Sequence, residues 1–191
     1  MPDALQLKLG DDLNLTPQVN GDPADPIRWQ WTPENALNCP TCPELNIRPF
    51  NSRTFYVTAV DDNGCISKDT LNLTLDRNCE LFVPSAFSPN LDGINDVIYP
   101  FAPPCVEQIQ RFSIFDRWGQ QLHVDEDFAP NDPAFNWDGQ FRGQRAPSGV
   151  YVWFAEVLLI DGREVLFKGD LGFKISRSLA GSCLPFVPVF R

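Results

Sequence analysis

The chain has 191 residues and a formal net charge of −10, with 15 Lys and Arg against 25 Asp and Glu. This acidic balance argues against a nucleic-acid partner, because phosphate binding depends on clustered Lys and Arg, and against direct contact with anionic membranes. Six Cys beside a single His fit disulfides better than zinc ligation. Because disulfides persist in oxidising compartments, we expect an extracytoplasmic protein.

Composition also constrains the fold class. Eighteen Pro and twelve Gly interrupt the apolar runs too often for long helices, which favours an all-β chain. The sequence has no positively charged start followed by an apolar core, and no apolar segment of about 18 residues. It therefore predicts neither a signal peptide nor direct membrane insertion for these residues.

The first half reads as a series of short strands, each with one buried face. "LQLKLG" at 5–10 and "IRWQW" at 27–31 alternate apolar and polar residues. "TFYVTAVDDNGCISKDTLNLTL" at 54–75 predicts two strands joined by a turn. Its Asn-Gly pair supplies the positive φ angles that a tight hairpin needs.

A second series of strands begins at Cys79. Its apolar segments are "LFVPSAF", "RFSIFDRWGQQLHV", "VYVWFAEVLLI", "REVLFKG" and "LGFKIS". Asp161 and Gly162 predict another hairpin turn. Between Val124 and Asn136, the acidic, Pro-interrupted "DEDFAPNDPAF" predicts an exposed loop.

This pattern predicts an all-β fold of two consecutive Ig-like antiparallel β-sandwich domains, with about seven short strands in each half. The predicted domains are residues 1–77 and 78–177. Residues 178–191 form an apolar tail containing two Pro, and an edge strand, a disordered tail and vector-encoded residues stay open for it.

Five motifs in order carry a family resemblance in the second half. They are "VPSAFSPNLDGIND" at 83–96, "FSIFDRWGQQL" at 112–122, "WDGQFRG" at 137–143, "APSGVYVW" at 146–153 and "KGDLGFKISR" at 168–177. This half resembles the gliding-motility-associated C-terminal domain of Bacteroidetes, the type B sorting domain of type IX secretion system cargo. The first half, through residues 31–65, looks like the Ig-like or PKD-like repeats that commonly precede it.

The resemblance implies a non-enzymatic module that directs a passenger across the outer membrane and stays uncleaved. It implies two partners, the type IX secretion translocon and a PorP/SprF-like outer-membrane protein. The expected location is the cell surface or the extracellular space, after transit through the periplasm. Family members usually stop near an Arg in the position of Arg177, whereas this chain continues for fourteen residues.

The stretch "SPNLDGINDV" at 88–97 is open to two interpretations. It offers hard oxygen ligands for a structural Ca²⁺ in Asn90, Asp92, Asn95 and Asp96. The bidentate Glu at the twelfth position of an EF-hand loop is missing, and Asn and Asp also build Asx-turns without any metal. No other cofactor is expected.

Two Trp-containing turns are candidate recognition sites. Arg and Trp are enriched in interface hot spots, although Trp is also highly buried on average, so a surface role and a core role stay open for both. The full set of predicted recognition residues is Arg117, Trp118, Gly119, Trp137, Asp138, Gly139, Lys168 and Gly169.

Cysteine spacing suggests two disulfides. Cys39 and Cys42 form a C-x-x-C pair for which redox activity, a zinc half-site and a local disulfide are alternatives, and we favour the disulfide. A bond between Cys79 and Cys105 would close the acidic opening loop of the second domain, stabilising it by about 3 kcal/mol. Cys65 and Cys183 stay unassigned.

Catalytic signals are weak. His123 is the single imidazole and has no recognisable nucleophile and orienting group, so we expect a surface residue on a strand. The consecutive carboxylates at 125–127 are typical of a solvated patch rather than a glycosidase pair. The alternative function is a carbohydrate-binding or adhesive module of a surface protein, because five Trp could stack on sugars. The exposure of four rings discriminates between this alternative and the sorting module, because buried rings would argue against sugar binding. These rings are Trp29, Trp31, Trp118 and Trp137.

Overall fold

A computed structural model describes residues 4–18 and 27–174 of the chain. The strands of the first half are β1 (Ala4–Lys8), β2 (Leu13–Leu15), β3 (Arg28–Thr32), β4 (Leu45–Ile47), β5 (Arg53–Val60) and β6 (Ile66–Asp76). Those of the second half are β7 (Ala86–Phe87), β8 (Val106–Phe115), β9 (Gln121–Phe128), β10 (Gln140–Phe141), β11 (Gln144–Arg145), β12 (Gly149–Leu159) and β13 (Glu164–Phe173). Across these described ranges, helix is confined to the 3-10 turn Glu34–Ala36, and no helix there is long and apolar enough to cross a membrane.

The first half is a sandwich of two sheets. A four-stranded sheet has the order β1-β6-β5-β3, and β2 pairs with β4 in a second sheet. Alternating apolar side chains of both sheets meet in one core, which contains Leu13, Trp31, Leu45, Phe55, Val57, Leu71 and Leu73. Period-two alternation therefore predicted the buried face of these strands correctly.

The β5–β6 hairpin is confirmed, but its turn differs from the predicted one. The two strands pair antiparallel from Arg53 opposite Leu73 to Val60 opposite Ile66. The positive φ in the connection lies at Gly64, whose N–H donates to the carbonyl of Asp61. The connection thus has five residues, held by the Asp61 carboxylate, rather than a tight Asn-Gly turn.

The second half is built on a five-stranded sheet of order β7-β13-β12-β8-β9. A second layer, formed by the β10–β11 hairpin and the bridge between Ile98 and Trp137, covers it. The Trp137 ring lies 5.4 Å from Phe87, 5.5 Å from Tyr151 and 5.9 Å from Phe173 between ring centroids. The all-β prediction is confirmed, with the correction that β1 pairs parallel to β6 and β7 pairs parallel to β13.

One segment prediction in the second half was correct only in part, and another was wrong. Residues 129–135 form the predicted loop, but residues 125–128 belong to β9, because Arg111 of β8 pairs with Glu126 across the strands and Phe128 is buried. The aromatic stack of Phe128 on Phe135 explains why this acidic stretch is ordered as a strand. One strand, β13 (Glu164–Phe173), contains most of "REVLFKG" and the start of "LGFKIS", for which two strands were predicted.

The contacts between Cα atoms divide the chain into two units. Of the described residues, the first contains 4–18, 27–81, Ala102–Gln108 and Val157–Val165. The second contains Phe82–Phe101, Ile109–Glu156 and residues 166–174. The domain boundary at residues 77 and 78 stays a prediction, and the predicted tail, Arg177 and Cys183 lie outside the described residues.

Candidate recognition surface

The candidate surface begins with the turn between β8 and β9. The Asp116 carboxylate accepts hydrogen bonds from the backbone N–H of Trp118 (2.9 Å) and Gln120 (2.8 Å). Gly119 completes the turn at φ 81° and donates its N–H to the Asp116 carbonyl. This Asx-type turn satisfies the local backbone without using the side chains of Arg117 and Trp118. Both of these side chains therefore project away from the turn.

Arg117 and Trp118 form an exposed pair. The Trp118 side chain is 76% exposed, and the Arg117 guanidinium carbon lies 4.2 Å from the centroid of its ring. This geometry is a cation–π contact between the guanidinium and the face of the indole. The core interpretation of Trp118 was wrong, because its side chain is largely exposed. The Asp138 carboxylate accepts hydrogen bonds from the Gln140 backbone and side chain.

The second Trp turn has the opposite character. Trp137 is 1% exposed and donates its indole N–H to the Gln140 carbonyl at 2.8 Å. Gly139 is also buried, at φ 79°, where an added Cβ would lie 2.7 Å from the Phe173 ring. The surface interpretation of Trp137 and Gly139 is therefore corrected: both are packed in the core, and Asp138 shapes the turn above them.

The β10–β11 hairpin adds residues that sequence reasoning missed. Arg142 and Gly143 both have positive φ, at 52° and 76°, as a tight two-residue turn requires. The Arg142 guanidinium carbon lies 4.9 Å from the centroid of the Phe141 ring. Arg145 follows on β11 and is exposed. The Arg-Gly pair in the centre of "QFRGQR" was the available sequence signal for this turn.

The turn between β8 and β9 and the β10–β11 hairpin line one groove with a volume of about 450 Å³. Its lining includes Asp116, Arg117, Trp118, Phe141, Arg145, Val150 and Tyr151. The Tyr151 hydroxyl donates to the Pro147 carbonyl, which fixes the chain at the start of β12. Burial, and then the negative charge of Asp116, raise the pKa of the Tyr151 phenol above its ordinary value.

Beside the groove, the loop at 88–97 is held by its own polar side chains. The two carboxylate oxygens of Asp96 accept the N–H of Leu91 and of Gly93, each at 2.7 Å. The carboxylate oxygens of Asp92 accept hydrogen bonds from the backbone N–H of Ile94 and from the side-chain amide of Asn90. This arrangement favours the Asx-turn interpretation, because Ca²⁺ ligation at these oxygens would compete with the hydrogen bonds that form the loop.

Electrostatics connect this loop to the groove. Partial burial raises the pKa of Asp96, but hydrogen bonds from Gly93, Leu91 and Asn90 and the charge of Arg145 lower it by more. The pKa of Asp96 consequently lies below the ordinary aspartate value.

The remaining candidate ligand, Asn95, takes φ 55°, and its backbone carbonyl accepts the Ser88 N–H. In residues 4–18 and 27–174, no cluster of three or more His, Cys, Asp or Glu side chains could hold a metal ion.

Lys168 and Gly169 lie apart from the groove lining, on β13. Lys168 is exposed, whereas Gly169 packs against the buried Trp153, where an added Cβ would lie 2.7 Å from the indole ring. Gly169 therefore has a packing role, and the structure does not bring these two residues together with Arg117 and Trp118.

Both suggested disulfides are present, between Cys39 and Cys42 and between Cys79 and Cys105. The Cys39–Cys42 loop packs over Trp31, whose indole N–H donates to the Cys42 carbonyl at 2.9 Å. The loop thus has a structural role in covering the first core. Cys65 is an exposed free thiol.

The residues considered for catalysis, His123 and the carboxylates at 125–127, lie on β9. His123 Nε2 lies 2.7 Å from an Asp125 carboxylate oxygen, two residues along the same face of β9. Glu126 pairs with Arg111 on the neighbouring strand at 2.6 Å. The three carboxylates at 125–127 therefore do not converge on one site, and two of them have cationic or imidazole partners.

Solved structures with similar folds have low similarity scores. The N-terminal four Ig domains of Dscam1 isoform 9.44 match with 14% identity and a TM-score of 0.31, covering 91% of this chain and 43% of that chain. Dimeric latent PorU from Porphyromonas gingivalis matches with 10% identity and a TM-score of 0.35, covering 83% and 17%. The human Desmocollin-1 ectodomain matches with 13% identity and a TM-score of 0.29, covering 91% and 36%. This chain thus spans less than half the length of each.

The sequence comparison is specific to the second half. No curated protein matches the chain. The family model of the CHU_C type IX secretion signal domain matches residues 81–170, a range that includes the loop at 88–97, both Trp turns and the groove beside Trp118. The second half of this chain is therefore similar to a CHU_C type IX secretion signal domain.

Proposed function

We propose that the chain is a non-enzymatic C-terminal sorting module, which directs a passenger through the type IX secretion system and helps to attach it at the outer-membrane surface. The observation that carries this proposal is the match of residues 81–170 to the type IX secretion signal domain. In this proposal the first domain is an Ig-like or PKD-like spacer. The passenger reaches the cell surface or the extracellular space after periplasmic transit.

The proposed partners are the type IX translocon and a PorP/SprF-like outer-membrane protein. Support for a protein-reading surface comes from the exposed Arg117 and Trp118, since Arg and Trp are enriched among the residues that dominate binding energy. The groove beside them lies within the matched range. A folded surface, rather than a short linear signal, is then what the secretion machinery reads.

The carbohydrate-binding alternative has less support. Trp31 and Trp137 are buried at 0% and 1% exposure, and Trp29 is half-buried. Of the four rings on which this alternative depends, Trp118 alone is exposed. A sugar platform normally combines exposed rings with polar neighbours, whereas Trp31 and Trp137 are core residues.

Attachment is tested with a fluorescent passenger that carries a signal peptide and is fused to residues 1–191 in a Bacteroidetes host. We expect the passenger on intact cells, accessible to external protease, and co-purifying with a PorP/SprF-like protein after mild cross-linking. Deletion of that outer-membrane protein should release the passenger from the surface. A passenger that stays cell-attached without any such protein would refute the attachment part of the proposal.

A further inference from the structure

The groove beside Trp118 has a charge that differs from that of the whole chain. Arg117 and Arg145 line it, although the chain carries a net charge of −10. The carboxylate in the lining belongs to Asp116, which accepts two backbone hydrogen bonds within its own turn. The neighbouring Asp96 likewise accepts backbone N–H groups with both oxygens. The guanidinium groups are therefore the charged groups best placed to meet an incoming ligand.

The apolar part of the groove is exposed as well. Trp118 is 76% exposed and Val150 is 63% exposed, and the Phe141 ring lies in the same lining. Large exposed apolar side chains that are grouped with Arg are typical of protein-binding surfaces. The Arg117 guanidinium carbon lies 4.2 Å from the centroid of the Trp118 ring, and a guanidinium is suited to bidentate recognition of a carboxylate.

Size and net charge restrict the partner further. A volume of about 450 Å³ accommodates a few side chains rather than the face of a folded domain. A broad acidic surface would be repelled by the rest of this chain, whose net charge is −10, so contact with an acidic partner has to be confined to the groove. An extended segment satisfies both conditions.

We propose that this groove binds an extended, acidic peptide segment of a partner protein, with an Asp or Glu on Arg117 and Arg145 and an adjacent aromatic or aliphatic side chain against Trp118. This inference deepens the proposed sorting function, on which it rests, by naming the chemistry of the partner segment. The partner is a peptide rather than a glycan, because the groove pairs guanidinium groups with apolar side chains.

The test uses the purified chain of residues 1–191 and a short fluorescein-labelled peptide in which Glu residues flank one Phe and one Leu. Fluorescence anisotropy gives its dissociation constant. We expect Arg117→Ala, Trp118→Ala and Arg145→Ala each to weaken binding by about tenfold or more. The matched control Arg28→Ala removes an exposed Arg of β3, outside the groove lining, and should leave binding unchanged.

A second peptide, in which every Glu is replaced by Gln, separates charge recognition from apolar contact. It should bind about tenfold more weakly, and added salt should weaken the Glu peptide more than the Gln peptide. Three outcomes would overturn the inference. The two peptides could bind equally well, the three groove variants could bind the Glu peptide as tightly as the wild type, or no binding could be seen at millimolar peptide. Because no secretion machinery is present in this assay, such a failure leaves the sorting proposal intact. Export that does not depend on the type IX system would instead refute the sorting proposal, whatever the peptide measurements show.

Discussion

The Arg117 guanidinium carbon lies 4.2 Å from the centroid of the Trp118 ring, on a turn whose backbone is satisfied by Asp116. The turn therefore presents a cationic plane and an indole together at the surface. Trp137, in the other Trp turn of the same domain, is buried. The two Trp residues of similar motifs thus have separable roles, one in packing and one at the surface.

The two Trp residues should respond differently to truncation. Trp137→Ala removes a fully buried ring from the cluster with Phe87, Tyr151 and Phe173 and should lower the free energy of unfolding by about 3–5 kcal/mol. Trp118→Ala removes an exposed ring and should change it by less than about 0.5 kcal/mol. Urea denaturation measures both, and a Trp118→Ala variant as unstable as Trp137→Ala would contradict the assignment.

The two disulfides should contribute unequally to stability. Cys79 and Cys105 are 26 residues apart, whereas Cys39 and Cys42 are 3 apart. Because the entropic effect of a cross-link grows with the loop it closes, replacing Cys79 and Cys105 by Ser should cost about 3 kcal/mol. The matched double replacement of Cys39 and Cys42 by Ser should lower the free energy of unfolding by less than the replacement of Cys79 and Cys105. Thermal unfolding of both variants checks this order, and a larger loss at the short loop would refute it.

The Asp96 loop should lose stability in acid. Its folded pKa is lowered, so the ionised form contributes stability above the unfolded pKa, and this contribution is lost as the pH falls through the folded pKa. Replacement by Asn should therefore increase amide hydrogen exchange at Leu91 and Gly93 most at neutral pH. The difference from wild type should shrink in strong acid. A difference that is the same at neutral and acid pH would show that the Asp96 charge is not what holds the loop.

Calcium should have little effect on the chain. The oxygens of Asp92 and Asp96 accept hydrogen bonds within the loop, and ligation would have to replace those bonds. We therefore expect no change in melting temperature when millimolar Ca²⁺ is compared with millimolar Mg²⁺. A calcium-specific rise in melting temperature that is lost in Asp96→Asn would restore the metal interpretation of this loop.

Much of the fold could be predicted from periodicity and turn chemistry. The β5–β6 hairpin followed from the apolar alternation on both sides of an Asp-Asn-Gly turn. The extension of β9 through Glu126 could not, because acidic residues and Pro predict a loop locally. The pairing with Arg111 and the burial of Phe128 that order this segment involve residues distant in sequence.

The candidate site was predictable only in part. The turn from Asp116 to Gly119 was identified from its sequence. Whether the Trp of such a turn is buried depends on the tertiary contacts of that turn. Trp137 meets aromatic rings from β7, β12 and β13, whereas Trp118 lies on an open turn. Arg145 was missed because its place in the same groove lining as Arg117 arises from the β10–β11 hairpin rather than from sequence proximity.

The most direct test of the account is export of a fluorescent passenger, carrying a signal peptide and fused to residues 1–191, in a Bacteroidetes host with and without its type IX secretion system. The account predicts passenger outside the outer membrane in the complete host and folded passenger retained in the periplasm of the deficient one. Equal export by both hosts, or retention of a folded fusion in the complete host, would contradict it.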